Sequence, residues 1–183
     1  MLEPVFSPFP ELQTERLLLR QLVKADAPEV LFMRSDEQVM KYIGKERAKT
    51  LEDAEKWVQV IQDALDTNEG ITWAIALKEE PGKMIGTIGF WRLMKQHYRA
   101  EVGYMLHPAH WNKGIITEAI IQIIRYGFDV MKLHSIEGRI NPENIASGVL
   151  LEKAGFVREA YFREDFCYEG VFTDTAVYSL LEK

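Results

Sequence analysis

The chain has 183 residues, 47% of them hydrophobic, and a formal net charge of −6 at pH 7. This length suffices for one sizeable core and is short for two ordinary domains, and the acidic balance argues against a nucleic-acid or anionic-membrane surface, since both depend on clustered Lys and Arg. A single cysteine, Cys167, excludes an internal disulfide and a multi-cysteine metal site, and with no secretory signal or membrane-spanning run we expect a cytoplasmic protein.

The first third of the chain is predicted to hold one strand and two helices. Three prolines in residues 1–13 indicate a loose lead segment, followed by an apolar run at 14–22 that we predict to be a strand. Pro28 then occupies the first turn of a short helix at 29–34. A capping-box pattern opens the next helix, at 50–65, whose apolar residues recur at helical spacing.

Three strands joined by short connections follow. They are predicted at 71–79, 84–93 and 100–107, with a Pro-Gly turn after the first and a polar break after the second, which favours an antiparallel meander. The later elements are a polar loop at 108–114, an amphipathic helix at 116–128, a strand at 135–141, a helix at 144–154, and strands at 156–162 and 171–181. This succession predicts an α+β fold with a mostly antiparallel sheet.

The stretch 104–119 combines a strand end, a polar turn with one glycine and a helix start. Backbone N–H groups in the first turn of a helix have no intrahelical partner and lie at the positive end of its dipole, so they can hold a pyrophosphate. Gly114 permits close backbone approach, and Lys113 adds a positive charge. Since the stretch matches neither the P-loop nor the dinucleotide-binding pattern, it indicates either another kind of phosphate cradle or a tight loop capped for stability.

Four segments, in this order and separation, resemble one known family. They are TERLLLR at 14–20, AEVGYMLHPAHWNKGIITEA at 100–119, INPENIASGVLLEKAGF at 140–156 and DTAVYSLL at 174–181. Together they resemble the GNAT acetyltransferase superfamily, and within it the ribosomal-protein alanine/serine N-terminal acetyltransferases. The resemblance implies a GNAT domain at 14–183, with a mixed, mostly antiparallel central sheet that contains a splayed pair of strands and is flanked by helices.

The resemblance also implies acetyl-CoA as the co-substrate and a metal-free reaction. It assigns the pantetheine arm to the splayed strand and one side-chain amide, and the pyrophosphate to the following loop. The pantetheine residues are Tyr104, Met105, Leu106 and Asn144, and the pyrophosphate residues are Asn112, Lys113, Gly114, Ile115, Ile116 and Thr117. Asn144 is equally suited to be a helix N-cap.

The pyrophosphate loop departs from the family's Arg/Gln-x-x-Gly-x-Gly/Ala pattern, of which only Gly114 is present. Trp111 stands at the first position of the pattern and Ile116 at the last. A β-branched residue at a site of close approach could crowd the phosphates. The periodicity of the following helix predicts instead that Ile116 begins its apolar stripe and points into the core.

Direct acetyl transfer requires a neutral amine, a polarised carbonyl and a proton for the departing thiolate. Glu101 on the splayed strand is our first choice of base, acting directly or through a water. Glu164 and Asp165 are the second choice, and a solvated surface position is the alternative for each carboxylate. Strand alternation puts Glu101 on the face opposite Tyr104 and Leu106, so we expect a bulge in this strand to bring it to the amine.

Three further positions complete the implied mechanism. Ser147, or a water beside it, protonates the thiolate, because Leu151 occupies the position at which some relatives carry a tyrosine acid. The Met105 backbone N–H polarises the carbonyl. Helix 50–65 and the loop before it form a wall of the acceptor cleft.

The branch resemblance predicts a primary-amine acceptor, in the first place the α-amine of a protein N-terminus such as that of a ribosomal protein. The acidic composition also suits a polyamine or an antibiotic amine. The departures at Ile116 and Leu151 are compatible with a third hypothesis, a catalytically silent acetyl-CoA-binding module. A homodimer rests on the resemblance alone.

Overall fold

A computed structural model describes residues 1–182 and contains one eight-stranded sheet with a hydrophobic core on each face. The strands are β1 (Leu12–Gln13), β2 (Leu17–Gln21), β3 (Ile71–Leu77), β4 (Met84–Met94), β5 (Arg99–Leu106), β6 (Ser135–Ile140), β7 (Val157–Tyr168) and β8 (Val171–Leu181). The helices are α1 (Ala27–Ser35), α2 (Glu37–Met40), α3 (Leu51–Asp66), α4 (Ile115–Asp129) and α5 (Ile145–Lys153). None of the helices in this part of the chain is long and apolar enough to cross a membrane.

The sheet order is β1-β2-β3-β4-β5-β6-β8-β7, and among the described strands the β5–β6 contact is the parallel one. The other neighbours pair antiparallel, beginning with the β2–β3–β4–β5 meander. The predicted α+β class with a mixed, mostly antiparallel sheet is therefore confirmed.

Most predicted elements are present, although their ends differ. The capping box of α3 is confirmed: the Thr50 hydroxyl accepts from the Asp53 N–H at 3.2 Å, and the Asp53 carboxylate accepts from the Thr50 N–H at 2.9 Å. β7 continues to Tyr168 instead of ending near residue 162, and nearly all of its residues are exposed, so no apolar alternation marks its length. β1 and α2, which have only two and four residues, were not predicted.

The lead segment is not loose, contrary to our expectation from its prolines. Leu2 and Phe6 are buried in the larger core, with 4% and 2% of their surface exposed. The Trp73 indole N–H donates to the Pro10 carbonyl at 2.7 Å, and the Phe9 ring meets the same indole edge-on at 6.2 Å between centroids. Apolar side chains between the prolines thus fix the segment without regular structure.

β5 and β6 separate after a short parallel contact. The contact runs from Arg99 opposite Ser135 to Glu101 opposite Glu137. Beyond it, β5 stays paired with β4 as far as Leu106, while β6 stays paired with β8. The gap that opens between the two strands, called the wedge below, confirms the predicted splayed pair.

Candidate active site

The edge of β5 that faces the wedge carries backbone groups that do not pair with β4. The His107 N–H donates to β4 at 2.8 Å, and the same register places Met105 opposite Thr87. Because peptide groups in an antiparallel pair alternate between the two sides of a strand, the N–H and C=O of Met105 are turned toward β4. This corrects the role assigned to Met105, since the backbone groups of Tyr104 and Leu106 face the wedge instead.

The loop after β5 brings residues 112–117 to the start of α4. Asn112 and Gly114 have positive φ angles of 59° and 72°, and α4 begins at Ile115 without a side-chain cap. The first N–H groups of this 15-residue helix therefore lie at its positive end with no intrahelical partner. Lys113 is exposed beside them. The predicted phosphate residues are thus together, with the geometry of an anion site.

The two departures from the family pattern both have structural partners. The Trp111 indole N–H donates to the Leu106 carbonyl at 2.8 Å, which ties the loop to the end of β5. Ile116 packs against the larger core as predicted, but the apolar stripe of α4 begins one residue earlier, at Ile115, which is buried with 3% of its surface exposed.

Sequence reasoning missed Arg16, which braces the same loop. Its guanidinium donates to Glu118 at 2.7 Å and to the Lys113 carbonyl at 3.0 Å, and its Nη2 lies 3.6 Å from the place of a Cβ at Gly114. Burial would raise the pKa of Glu118, but hydrogen bonds from Thr14 and Arg16 lower it overall. Arg16 lies inside TERLLLR, so the motif itself was the signal that could have identified it.

Glu101 is buried on the opposite face of β5 from Tyr104, as alternation predicted, with 5% of its surface exposed. The expected bulge is not in β5. It lies in β4, where Phe90 pairs with Val102 and Arg92 pairs with Glu101, leaving Trp91 as the extra residue. β5 therefore keeps its regular alternation, and Glu101 faces the side of the sheet on which α1 and α3 pack.

The Glu101 carboxyl has both an acidic and basic neighbours, but within residues 1–182 it has no close hydrogen-bonded ion pair. Its Oε2 lies 3.7 Å from the Arg92 guanidinium and has no hydrogen-bond partner among the described residues. Burial and the like charge of Glu137 raise the pKa of Glu101 to about 7, against the opposing effects of Arg92, Arg139 and the adjacent Trp91 side chain. Glu137 itself accepts a hydrogen bond from Arg99 at 2.6 Å. Glu101 can therefore bind or release a proton near neutral pH.

The two other predicted acids lie in an irregular part of β7. Between Phe162 and Phe166 the β7–β8 register shifts, and both Glu164 and Asp165 fall in this interval. Asp165 forms an ion pair with Arg139 of β6 at 3.3 Å. Glu164 is exposed, with a positive φ of 51°. Of the two acids, Asp165 is the one linked to Glu101, because its partner Arg139 also lowers the pKa of Glu101.

The start of α5 brings two hydroxyl groups together. Asn144 caps the helix by accepting the Ser147 N–H at 3.2 Å, so the capping alternative for Asn144 is confirmed. The Tyr104 hydroxyl is buried without a hydrogen-bond partner in residues 1–182 and lies next to the Ser147 side chain. Burial raises the pKa of Tyr104 to about 12, with Ser147 opposing the shift. Leu151 is buried against Gly138, one turn further along.

The connection between α2 and α3 reaches across to β7. A Cβ added at Gly44 would lie 2.4 Å from the Phe166 ring, so the connection and the strand are in direct contact. The loop before α3 and β7 therefore meet, and the role of this loop as a wall of the acceptor cleft stays a prediction.

Comparison with known proteins agrees with this arrangement. The profile of the family described as "Acetyltransferase (GNAT) domain" matches residues 16–157. The uncharacterized N-acetyltransferase YoaA of Bacillus subtilis is 36% identical over 174 residues, which cover 95% of this chain and 98% of that protein. The putative ribosomal N-acetyltransferase YdaF of Bacillus subtilis is 30% identical over 102 residues, 56% of each chain. A crystal structure of spermidine N-acetyltransferase from Vibrio cholerae in complex with CoA and spermine has the same fold, with a TM-score of 0.81 at 23% identity over 92% of this chain and 96% of that chain.

Proposed function

Because the chain belongs to the GNAT acetyltransferase family and is an acetyl-CoA-dependent N-acetyltransferase, we propose that its acceptor is the α-amine of a protein N-terminus, such as that of a ribosomal protein. The relative named as a putative ribosomal N-acetyltransferase supports this class of acceptor. The observation that carries the proposal is the buried Glu101 carboxyl beside the wedge.

The proton affinity of Glu101 fits an α-amine better than a lysine side chain. An α-amine has a reference pKa near 8 and a lysine amine near 10.4, so forming the neutral amine at pH 7 costs about 3 kcal/mol more for lysine. A carboxyl group with a pKa of about 7 is a moderate base. It is matched to the α-amine, and we prefer it to the exposed Glu164.

In this proposal acetyl-CoA lies along the wedge. The N–H groups of residues 112–117 hold the pyrophosphate, with Lys113 and Arg16 adding positive charge. The pantetheine arm pairs with the wedge-facing backbone of Tyr104 and with the N–H of Leu106, and the side-chain NH₂ of Asn144 donates to it. One of these strand N–H groups polarises the thioester carbonyl, the role first assigned to Met105.

The proton of the amine and the proton of the thiol are handled by residues on opposite faces of β5. Glu101 accepts the proton of the attacking amine, directly or through a water. The new C–N bond forms as the C–S bond breaks, and Ser147 or a water beside it gives the thiolate its proton. The Tyr104 hydroxyl, which lies next to Ser147, replenishes that proton and fills the role for which Leu151 has no group.

A polyamine is the second candidate acceptor. The net charge of −6 and the buried carboxyls Glu101 and Glu137 favour a cationic molecule, and a protein of the same fold is named for spermidine. The third hypothesis, a catalytically silent coenzyme-binding module, is not supported, because the chain belongs to a family of acetyltransferases and its relatives are named N-acetyltransferases.

A thiol-release assay over an amine panel tests the proposal. The panel contains peptides that begin with Ala or Ser, Nα-blocked peptides with one free lysine, and spermidine. We expect the highest kcat/KM for the free α-amines. Faster turnover of spermidine or of the blocked lysine peptides would overturn the proposed acceptor.

A further inference from the structure

Trp91 is an exposed tryptophan at the bulge of β4. It is the extra residue between the Phe90–Val102 and Arg92–Glu101 pairs, and 56% of its surface is exposed. An indole held in water next to a buried carboxyl is an unusual use of a large apolar side chain, because burial of its ring would stabilise the fold more.

The bulge turns the indole onto the same face of the sheet as Glu101. A Cβ added at Gly103 would lie 3.1 Å from the Trp91 Cδ1 and 3.5 Å from its Nε1, so this edge of the indole contacts Gly103. Gly103 and Glu101 are two residues apart on β5 and share a face. The indole and the Glu101 carboxyl are therefore adjacent, where β5 and β6 begin to separate.

We propose that Trp91 receives the ammonium group of the acceptor on the exposed part of its indole, beside Glu101. This inference rests on the proposed function, since it concerns how the amine is recognised before it loses its proton. An aromatic ring attracts a cation through its quadrupole, and the adjacent carboxyl adds a charge partner and the proton acceptor. Gly103 is part of the arrangement, because a side chain at that position would push the ring away.

The test compares a fixed cation with a neutral molecule of the same shape. One ligand is a peptide whose N-terminal Ala carries a trimethylated α-amine, and the other is the same peptide with that amine replaced by hydrogen. Neither can be acetylated, so calorimetry on the enzyme saturated with CoA measures recognition without turnover. We expect the wild type to bind the cation more tightly, and Trp91→Ala to reduce this preference by about 3- to 30-fold.

Matched variants separate recognition from folding. Trp91→Phe should keep most of the preference, and Gly103→Ala should lower it while the indole remains in the chain. Gly82→Ala is the control, because nothing lies within 4 Å of a Cβ at that turn. Equal losses for both peptides in Trp91→Ala, or an unchanged preference, would overturn the inference.

The proposed function fails on a different result. A wild-type enzyme that acetylates spermidine and no peptide would refute the protein acceptor. The trimethylated and neutral ligands are then built on a diamine, and the loss of preference in Trp91→Ala is measured in the same way.

Discussion

The proposed coenzyme region and the proposed acceptor region of this enzyme share strand β5 but are built from different groups. On the wedge side, β5 and the loop at 112–117 present backbone N–H groups, and the side chains around them chiefly hold the backbone in place. On the face of the sheet that packs against α1 and α3, Glu101 of β5 and Trp91 of β4 present their side chains. The first region therefore depends on backbone conformation, and the second depends on residue type.

The two regions should tolerate side-chain substitutions to different degrees. A side chain in the coenzyme loop can change while its φ and ψ angles persist, and the side chains of Trp111 and Ile116 both make contacts outside the loop. In the acceptor region a change of one functional group removes the proton acceptor or the aromatic surface. Variants of the two regions should therefore differ in which kinetic constant they alter.

The largest effect should come from Gly114→Val. Gly114 has a φ of 72°, and the nearest atom to an added Cβ is 3.6 Å away, so the obstacle is backbone strain rather than a clash. That strain is on the order of 1–3 kcal/mol, and a loop that relaxes it no longer presents its N–H groups, so we expect a loss of roughly 10²-fold or more in coenzyme affinity. Calorimetry with acetyl-CoA measures it.

A thermal shift provides the control for this variant. Coenzyme at 100 times its dissociation constant should add about 2.7 kcal/mol to the wild type, which raises its melting temperature by roughly 5–10 °C. Gly82→Val, in an open turn, should keep the whole shift. Coenzyme binding that survives in Gly114→Val would place the pyrophosphate elsewhere.

Glu101→Gln tests the acceptor region, and it should leave coenzyme affinity nearly unchanged. Because the general base is removed, turnover should fall by about 10²-fold or more. The wild-type kcat/KM should fall as the pH drops below about 7, where the Glu101 carboxyl becomes protonated. The variant should lack this contribution, while the ionisation of the amine near pH 8 remains in both profiles.

An active Glu101→Gln enzyme with an unaltered profile would move the base to Asp165, Glu164 or bulk water. Asp165→Asn is the first variant to examine in that case, because Asp165 is joined to the same group of charges through Arg139.

The sequence predicted the coenzyme region better than the acceptor region. The coenzyme loop is contiguous, so its motif and the helix start that follows it were enough to bring residues 112–117 together. The face of Glu101 followed from alternation along β5. The bulge was assigned to the wrong strand, because its position depends on how β4 pairs with β5 at Trp91, which neither strand reveals by itself. Arg16 was missed because Glu118 and Lys113 lie 102 and 97 residues away.

Ser147→Ala and Tyr104→Phe test the proton supply to the thiolate. We expect Ser147→Ala to lower turnover on the order of 10²-fold and Tyr104→Phe to lower it less, since the tyrosine acts through the serine. Neither variant should change how the rate depends on the pKa of the amine, because both act on the leaving group. If turnover in both equals the wild type, a water supplies the proton.

The smallest effect should come from Arg16→Lys, which asks whether the backbone region needs its side-chain brace. The Arg16 side chain is 47% exposed, so its ion pair with Glu118 contributes little to global stability, about 0.2–1 kcal/mol. The guanidinium nevertheless bonds both Glu118 and the Lys113 carbonyl, which a single ammonium group cannot do in the same geometry. The loop should then hold its N–H groups less firmly, and CoA should bind about 2- to 5-fold more weakly. Pantetheine, which lacks the pyrophosphate, should bind the variant and the wild type equally.

Arg47→Lys is the control for Arg16→Lys, because Arg47 lies in an exposed pair with Glu37 at 4.0 Å. A loss that is the same for pantetheine and CoA would mean that Arg16 supports β5 rather than the phosphate loop, and the division between the two regions would then have to be redrawn at the N-terminal strand.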